Sequence, residues 1–460
     1  MLKKIFFPIE ILSRELDSKL LLITHLLSNS NSNWEVFIGS GKKLGKYYST
    51  HSKIPFIYFE KGIEYNTTKL KNIIYNNGRT VILDEEGGVY TKSHKNFPRG
   101  GFNNPSIDFI EKIFFWGEDS INIWKKNHKN LKSRQICLTG NPRFDLSKKK
   151  FNKYFLNTDD ETYKDKFILV SSAFGSSNGM VKSGKKMNNY WKSISFGKEY
   201  MLHDEISNYQ SKLFPLYIEG ITSLIKENPN EMFLIRPHPA EKLDTYSKIF
   251  EKYKNVIITN KGPVQNYLPY SKIMIHNGCT TAIEAFAQEL NPICYSPYVD
   301  DEHSQFLTFV ASDVVNNISD LHEIFKKKLE LIDNPYRYEK SKKISEFIFN
   351  IAKVHSYELI SRELDELNFY ESDIKLNLRE KIKNHLPKNL LYFLKSLRYH
   401  ILTNKKIKNI KKDLDNKNKS KFPDISKEEI VNKINILKNI INSEKNFQII
   451  ELEKNIFHIK

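Results

Sequence analysis

The fold class that the sequence predicts is α/β: two parallel-sheet units in tandem, then a helical, basic extension. Three observations carry it. Short apolar runs alternate with amphipathic stretches through the first 150 residues, the pattern of strands joined by crossover helices. A polar, Lys- and Asp-rich passage from Ser147 to Lys166 interrupts the alternation, and a second series resumes beyond it. The chain has 460 residues, 40% of them hydrophobic and 13% aromatic, too many for one ordinary core and apolar enough to fill two.

The first series expects strands at Ile5–Pro8, Glu35–Gly39, Pro55–Phe59, Thr80–Leu83, Lys112–Trp116 and Gln135–Leu138. Between the first two, Ser13 is placed to cap a helix from Arg14 to about Leu27, with Leu16, Leu20 and Ile23 on one face. The Ser147–Lys166 passage reads as a linker. The second series expects strands at Phe167–Val170, Met232–Ile235, Val256–Thr259, Ile273–His276 and Ile293–Tyr295. These assignments divide the chain into residues 1–150, 160–335 and a mainly helical extension, 336–460, with a last apolar stretch at Phe447–Ile450.

Charge and cysteine content narrow the function classes. The net charge is +18, yet Arg379 to Lys421 alone carries 14 Lys/Arg against Glu380, Asp413 and Asp415. A basic appendage on an ordinary enzyme body fits this better than a nucleic-acid groove, whose charge would track aromatic platforms through the fold. No nucleic-acid partner is expected. Cys137, Cys279 and Cys294 show no metal-type spacing, so neither a disulfide framework nor a structural metal is expected, and a reducing cytoplasm fits. The Lys3-Lys4 start leads into an apolar run that Glu10 breaks too soon for a signal peptide. Leu20–Leu27 falls far short of the ~20 apolar residues that span a bilayer.

Three motifs bear chemistry. Ile235-Arg236-Pro237-His238-Pro239 follows an apolar strand, and its prolines fix the backbone so that His238 projects from the carboxyl end of the sheet, where open α/β folds bind ligands. His276-Asn277-Gly278-Cys279-Thr280-Thr281-Ala282-Ile283-Glu284 reads as strand, tight turn and helix start. Gly278 permits the turn, and Thr280 and Thr281 offer hydroxyls and free N–H groups, an anion site or a plain N-cap. Glu284 could reach ribose hydroxyls or merely favour the helix dipole. In the first unit, Asp84-Glu85-Glu86-Gly87-Gly88 sets three carboxylates at a strand end. Such crowding raises a pKa and readies a base, unless the loop is simply solvated.

In order and context, Glu85-Glu86-Gly87, His238-Pro239 and Thr280-Thr281 resemble the acid-acid-Gly, His-Pro and Ser/Thr-pair motifs of bacterial sialyltransferases and related enzymes that use CMP-activated ulosonic acids. A Thr pair stands where Ser is more usual and keeps the hydroxyls. Pro8-Ile9-Glu10 with Arg14-Glu15-Leu16-Asp17, Thr139-Gly140-Asn141-Pro142-Arg143-Phe144-Asp145 and the Lys421-Phe422-Pro423 region are similar to the bacterial surface-carbohydrate biosynthesis family. The resemblance implies a GT-B-like fold, two Rossmann-like domains facing a cleft, with the nucleotide sugar against the second and the acceptor entering from the first. It implies transfer of a CMP-activated sugar (sialic, legionaminic, pseudaminic or Kdo-like) to a glycan or lipid-linked glycan; the sequence shows no convincing metal cluster, so no metal and no cofactor are expected. Glu85 would be the base and Glu86 its helper, with Arg14, Gly87 and Gly88 on the acceptor side. His238, with Arg236, Pro239, Asn277, Gly278, Thr280, Thr281 and Glu284, would seat the CMP and ease its departure.

Ser171, Ser172 and Gly175 either complete that pocket or form a plain loop. A retaining course would give one carboxylate a nucleophilic role, and an inverting course would not. Leu386, Leu390, Phe393, Leu394, Leu397 and Ile401 share a helical face, with Lys388, Lys395 and Arg398 largely on the others. That helix either lies on an anionic membrane or packs on the body of the enzyme. The rivals are a CDP-glycerol-type glycerophosphotransferase and a UDP-sugar enzyme of the 2-epimerase type, which share the two-domain form, and an inactive scaffold, against which intact Glu85 and His238 argue.

Overall fold

A computed structural model describes residues 2–48, 54–63, 67–87, 102–155, 166–179, 198–300, 302–304, 306–330, 337–349, 351–352, 355–368 and 422–460. It holds two separate sheets. The first takes strands β1 (Leu2–Ile9), β2 (Asn33–Ser40), β3 (Phe56–Glu60), β4 (Gly78–Leu83), β5 (Lys112–Phe115) and β6 (Ile136–Leu138). The second takes β7 (Phe167–Ser171), β8 (Phe233–Arg236), β9 (Val256–Ile258), β10 (Ser271–His276), β11 (Ile293–Tyr295) and β12 (Asp313–Val315), in the order β12-β11-β10-β7-β8-β9. Neighbours within these two sets run parallel. Val81–Leu83, Phe167–Ser171 and Phe233–Arg236 are buried throughout, as strands covered on both faces must be. The fold is α/β and GT-B-like, with two Rossmann-like domains.

The helices that matter for the site are α1 (Leu12–Asn29), α2 (Pro142–Asp145), α3 (Lys198–Glu227), α4 (Leu243–Phe250), α5 (Thr281–Ala287), α6 (Ser356–Glu366) and α7 (Lys427–Ile440). Helix α1 buries Leu16, Leu20 and Ile23, as its periodicity requires. Its start differs from expectation. Ile11 is the N-cap and no side chain caps it; instead the Glu15 carboxylate reaches back to accept the N–H groups of Glu10 (2.9 Å) and Ile11 (3.2 Å). Ser13 is displaced because a carboxylate in the first turn satisfies those free donors from inside the protein.

The described part of the C-terminal extension is mainly helical, as expected, and adds a hairpin that the sequence reading did not include. β13 (Ile449–Glu453) and β14 (Ile456–Ile459) form an antiparallel hairpin, and β14 pairs antiparallel with β2. The first sheet thereby reads β13-β14-β2-β1-β3-β4-β5-β6. Helices α6 and α7 pack against α1 within one apolar cluster that includes Leu20, Ile360, Ile430 and Ile434. The start of the expected linker is also part of this core: Phe151 and Tyr154 are buried, and the Tyr154 hydroxyl donates to Asp17 (2.7 Å). Residues 156–165 and the expected membrane helix Leu386–Ile401, with Lys388, Lys395 and Arg398, lie outside the described residues. Among those described, no helix is long and apolar enough to cross a membrane.

Candidate active site

The sequence motifs sit at the carboxyl ends of the two sheets. At the end of β4, Asp84 to Gly87 forms a tight turn: Gly87 N–H donates to the Asp84 carbonyl (3.1 Å) and Glu86 N–H to Asp84 Oδ1 (2.9 Å). A Cβ on Gly87 would lie 2.9 Å from the Asp84 Cβ, so the glycine is needed for the turn to close. The turn sends its two glutamates opposite ways. Glu85 is buried and its Oε1 accepts from Lys19 Nζ (2.9 Å), whereas Glu86 is exposed and meets Arg14 Nη1 (3.1 Å). The expected crowding of three carboxylates is therefore relieved, because each finds its own donor. Gly88 lies outside the described residues.

The carboxyl that is pushed up belongs to Glu15. Burial raises it first; Lys19, 3.6 Å away, pulls it down, and the Glu85 charge pushes it up again. For Lys19, burial lowers the pKa, but Glu85 and Glu15 outweigh it and leave the ammonium above its ordinary value. Arg14, Glu15, Lys19, Glu85 and Glu86 thus form one ionic network joining the first turns of α1 to the end of β4.

Across from it, β8 ends at Arg236 and the chain turns at His238. Glu241 N–H donates to the His238 carbonyl (2.8 Å), and His238 N–H donates to Glu241 Oε1 (3.0 Å). His238 Nδ1 accepts the Ala240 N–H (3.1 Å), which assigns the proton of the neutral ring to Nε2. The imidazole pKa is pushed down to about 4 by its surroundings and then by Arg236, Arg14 and Arg143, with Glu86 opposing. The ring is therefore neutral at pH 7. Arg14 and Glu86 belong to the first domain, so the two sheet ends act on each other electrostatically. Pro239 is exposed beside the ring, and a Cβ on Gly175 would lie 3.9 Å from His238 Nδ1, which brings the β7 loop to the same place.

Arg236 is buried, donates to the Gly262 carbonyl through Nη2 (2.6 Å) and lies over the Tyr267 ring at 5.7 Å. Burial lowers its pKa, but a guanidinium stays charged at neutral pH. Among the described residues no carboxylate pairs with it.

Other motif residues are already engaged. Asn277 Oδ1 accepts the Ala173 N–H (2.9 Å) and Thr281 Oγ1 donates to Cys279 Sγ (3.1 Å). Ser172 Oγ donates to Glu241 Oε1 (3.0 Å). Gly278 does take the left-handed backbone expected of it, φ +99°. Thr280 precedes α5 with helical backbone angles and no side-chain cap bond, and α5 has only seven residues. Glu284 lies in the first turn of α5, and its Oε1 accepts from Arg143 Nε (2.7 Å) on α2 and from Gln265 Nε2 (3.2 Å). Burial pulls the Arg143 pKa down, but Glu284 outweighs it and the guanidinium ends above its ordinary value. Buried His276, at about 3, is kept neutral by burial; its Nε2 lies 2.7 Å from Ser312 Oγ and its Nδ1 accepts the Gly278 N–H.

Several buried side-chain atoms meet no hydrogen-bond partner here: Arg14 Nε, Glu85 Oε2, Asn141 Nδ2, Ser171 Oγ, Arg236 Nε and Glu284 Oε2. Buried polar atoms are seldom left so; six of the seventeen such atoms among the described residues fall on these residues. Sequence reasoning missed Glu15, Lys19 and Glu241 and gave Arg143 no role. The i,i+4 spacing of Glu15 and Lys19, and Glu241 three residues after His238, were the available signals. Among the described residues no group of three or more His, Cys, Asp or Glu is placed to hold a metal ion.

Two Rossmann-like domains with facing sheet ends are the GT-B-like class of fold. Solved structures of similar fold include a putative UDP-N-acetylglucosamine 2-epimerase from Listeria monocytogenes, at TM-score 0.50 and 12% identity, covering 82% of this chain and 99% of that one. The UDP-GlcNAc 2-epimerase of Neisseria meningitidis bound to UDP-GlcNAc aligns at TM-score 0.47 and 14% identity, over 79% of this chain and 99% of that one. The wall teichoic acid polymerase TagF aligns at TM-score 0.44 and 11% identity, over 84% and 90% of the two chains. No family model matches the chain, and no curated protein is similar to it. At these identities the likeness is one of fold.

Proposed function

We propose that the protein is a sugar-nucleotide enzyme of surface-carbohydrate assembly, with the donor's phosphates seated at Arg236 and His238 in the second domain and proton transfer handled by Glu85 in the first. One observation carries this: Arg236 is a buried guanidinium at the carboxyl end of a parallel sheet with no carboxylate partner among the described residues. A buried cation is costly unless an anion meets it, and this edge is where α/β folds receive phosphates. Neutral His238, with its proton on Nε2, adds a donor for the same phosphate as charge develops on it. Glu85 Oε2, which lacks a partner, is the oxygen to accept a proton, while Lys19 holds Oε1 at 2.9 Å.

A nucleoside diphosphate donor, UDP-sugar or CDP-glycerol in type, is the preferred reading. The Listeria structure, described as a UDP-sugar epimerase, shares the fold, and two phosphates would use both Arg236 and the nearby Arg14 and Arg143. Transfer of a CMP-activated ulosonic acid is the second reading, favoured by the Glu85-Glu86-Gly87, His238-Pro239 and Thr280-Thr281 motifs.

Thermal unfolding of the purified chain with UDP, CDP and CMP separates the two. Saturating UDP or CDP should stabilise it by about 2–3 kcal/mol at a hundred times Kd, and Arg236→Gln should lose that shift. A larger shift with CMP selects the second reading; no shift with any of the three, or an undiminished one in Arg236→Gln, overturns the phosphate seat.

A further inference from the structure

Glu241 has no place in the motifs, yet it is the most heavily bonded side chain near His238. It is fully buried. Oε1 accepts the backbone N–H groups of Phe174 (3.0 Å) and His238 (3.0 Å) and the Ser172 hydroxyl (3.0 Å), while Oε2 accepts the Tyr246 hydroxyl. Those donors come from the loop after β7, the turn after β8 and helix α4. Further bonds bind the same loops: Lys242 N–H donates to the Asn178 carbonyl (3.0 Å) and Thr245 Oγ1 to Asn178 Oδ1 (2.8 Å).

Each neighbour can offer a proton, and a carboxylate offers the most lone pairs to accept them. Burial raises the Glu241 pKa, and the bonds from Tyr246, Phe174, His238 and Ser172 work against that. Two of the bonds come from backbone N–H groups that would otherwise be buried without partners, which a folded chain avoids. The bond to His238 N–H closes the turn in which Ala240 N–H reaches His238 Nδ1. Without the Glu241 carboxylate the His238 N–H loses its acceptor and the turn is held only by its backbone bonds.

We propose that Glu241 is a positioning residue for His238: it clamps the β7 and β8 loops together and so fixes the imidazole as a neutral Nε2–H donor aimed at the phosphate of the donor. Its consequence for ligand binding rests on the phosphate-seat reading above; its effect on the ring does not. Gln should substitute for Glu241, because its carbonyl oxygen can keep the three Oε1 bonds while its NH2 donates to a Tyr246 hydroxyl turned the other way. Ala leaves two backbone N–H groups stranded.

The test has two arms on the full chain. In the first, histidine side-chain 15N–1H spectra follow His238 from pH 8 to pH 3. Wild type and Glu241→Gln should show a single Nε2–H tautomer, whereas Glu241→Ala should mix the Nδ1–H and Nε2–H forms. Buried His276 reports whether the variant is folded. An unchanged His238 in a folded Glu241→Ala chain overturns the proposal. Should Ala prevent folding, Glu241→Asp, one methylene shorter, replaces it with the same expectation and the same overturning result. In the second arm, UDP is the probe. Glu241→Ala should weaken UDP binding roughly tenfold in the wild-type background and much less in a His238→Ala background, since a residue acting through His238 has little left to lose. Equal losses in both backgrounds overturn positioning through His238. If UDP fails to bind wild type, the phosphate seat falls, and the first arm still decides the role of Glu241 on the ring.

Discussion

At Glu85 two facts meet: one carboxylate oxygen is held by buried Lys19, and the other has no partner. Glu85→Gln should therefore lower turnover at least roughly hundredfold, the scale on which a general base contributes. It should leave UDP- or CDP-induced stabilisation intact, because the proposed phosphate seat lies in the other domain. Parallel assays of Glu85→Gln and Glu86→Gln decide it: full activity in the first with loss in the second moves the base to the exposed neighbour paired with Arg14. The motif was legible because an acid-acid-Gly run after an apolar strand is compositionally odd. Its internal assignment was not, since the direction of each side chain depends on the Asp84 turn and on cations about seventy residues away, Lys19 and Arg14. Three adjacent carboxylates suggest mutual repulsion in sequence; in space the turn separates two of them and turns Asp84 inward on its own backbone.

Among the elements, β1 to β11 were legible because strands buried on two faces are continuous apolar runs. β12, which reads Asp-Val-Val, and the hairpin β13–β14 were not. The hairpin strands are Ile-Ile-Glu-Leu-Glu and Ile-Phe-His-Ile, too short and too charged to announce themselves, and their partner β2 is some four hundred residues away. Gly39 shows how closely the hairpin fits: an added Cβ would lie 2.1 Å from the Asn455 carbonyl oxygen and 3.0 Å from the Ile456 Cα. Gly39→Ala should therefore push the hairpin off the sheet edge at a cost of about 1–3 kcal/mol. Denaturant unfolding should show the loss, with faster amide exchange at Phe457 and Ile459. Unchanged stability with protected hairpin amides would mean that the β2 edge yields without cost.

For the whole molecule, the arrangement of two domains could be read from the alternation and its interruption, but not what joins them. Ile283, Phe286 and Ala287 of α5 belong to the same apolar cluster as Leu20 and Phe144 of the first domain. Beside them run the Arg143–Glu284 pair and the bond from Gln265 to Ser147 (3.0 Å). Breaking this nearly buried ion pair by Glu284→Gln should cost about 3–5 kcal/mol, and Arg143→Met/Glu284→Leu should recover most of it. A single variant as stable as wild type in chemical unfolding would show the domains indifferent to that contact.

The return of residues 456 to 459 to β2 has a bearing on how the protein is made. Residues 167 to 315, which supply every described strand of the second sheet, leave the ribosome as one uninterrupted stretch and can fold while synthesis continues. The first sheet cannot: with β2 as its edge it exposes an unpaired row of backbone groups until residues 456 to 459 are translated. The domain begun first is therefore finished last. In the interval its open edge is the natural place for a chaperone to bind, or for two nascent chains to stick to one another.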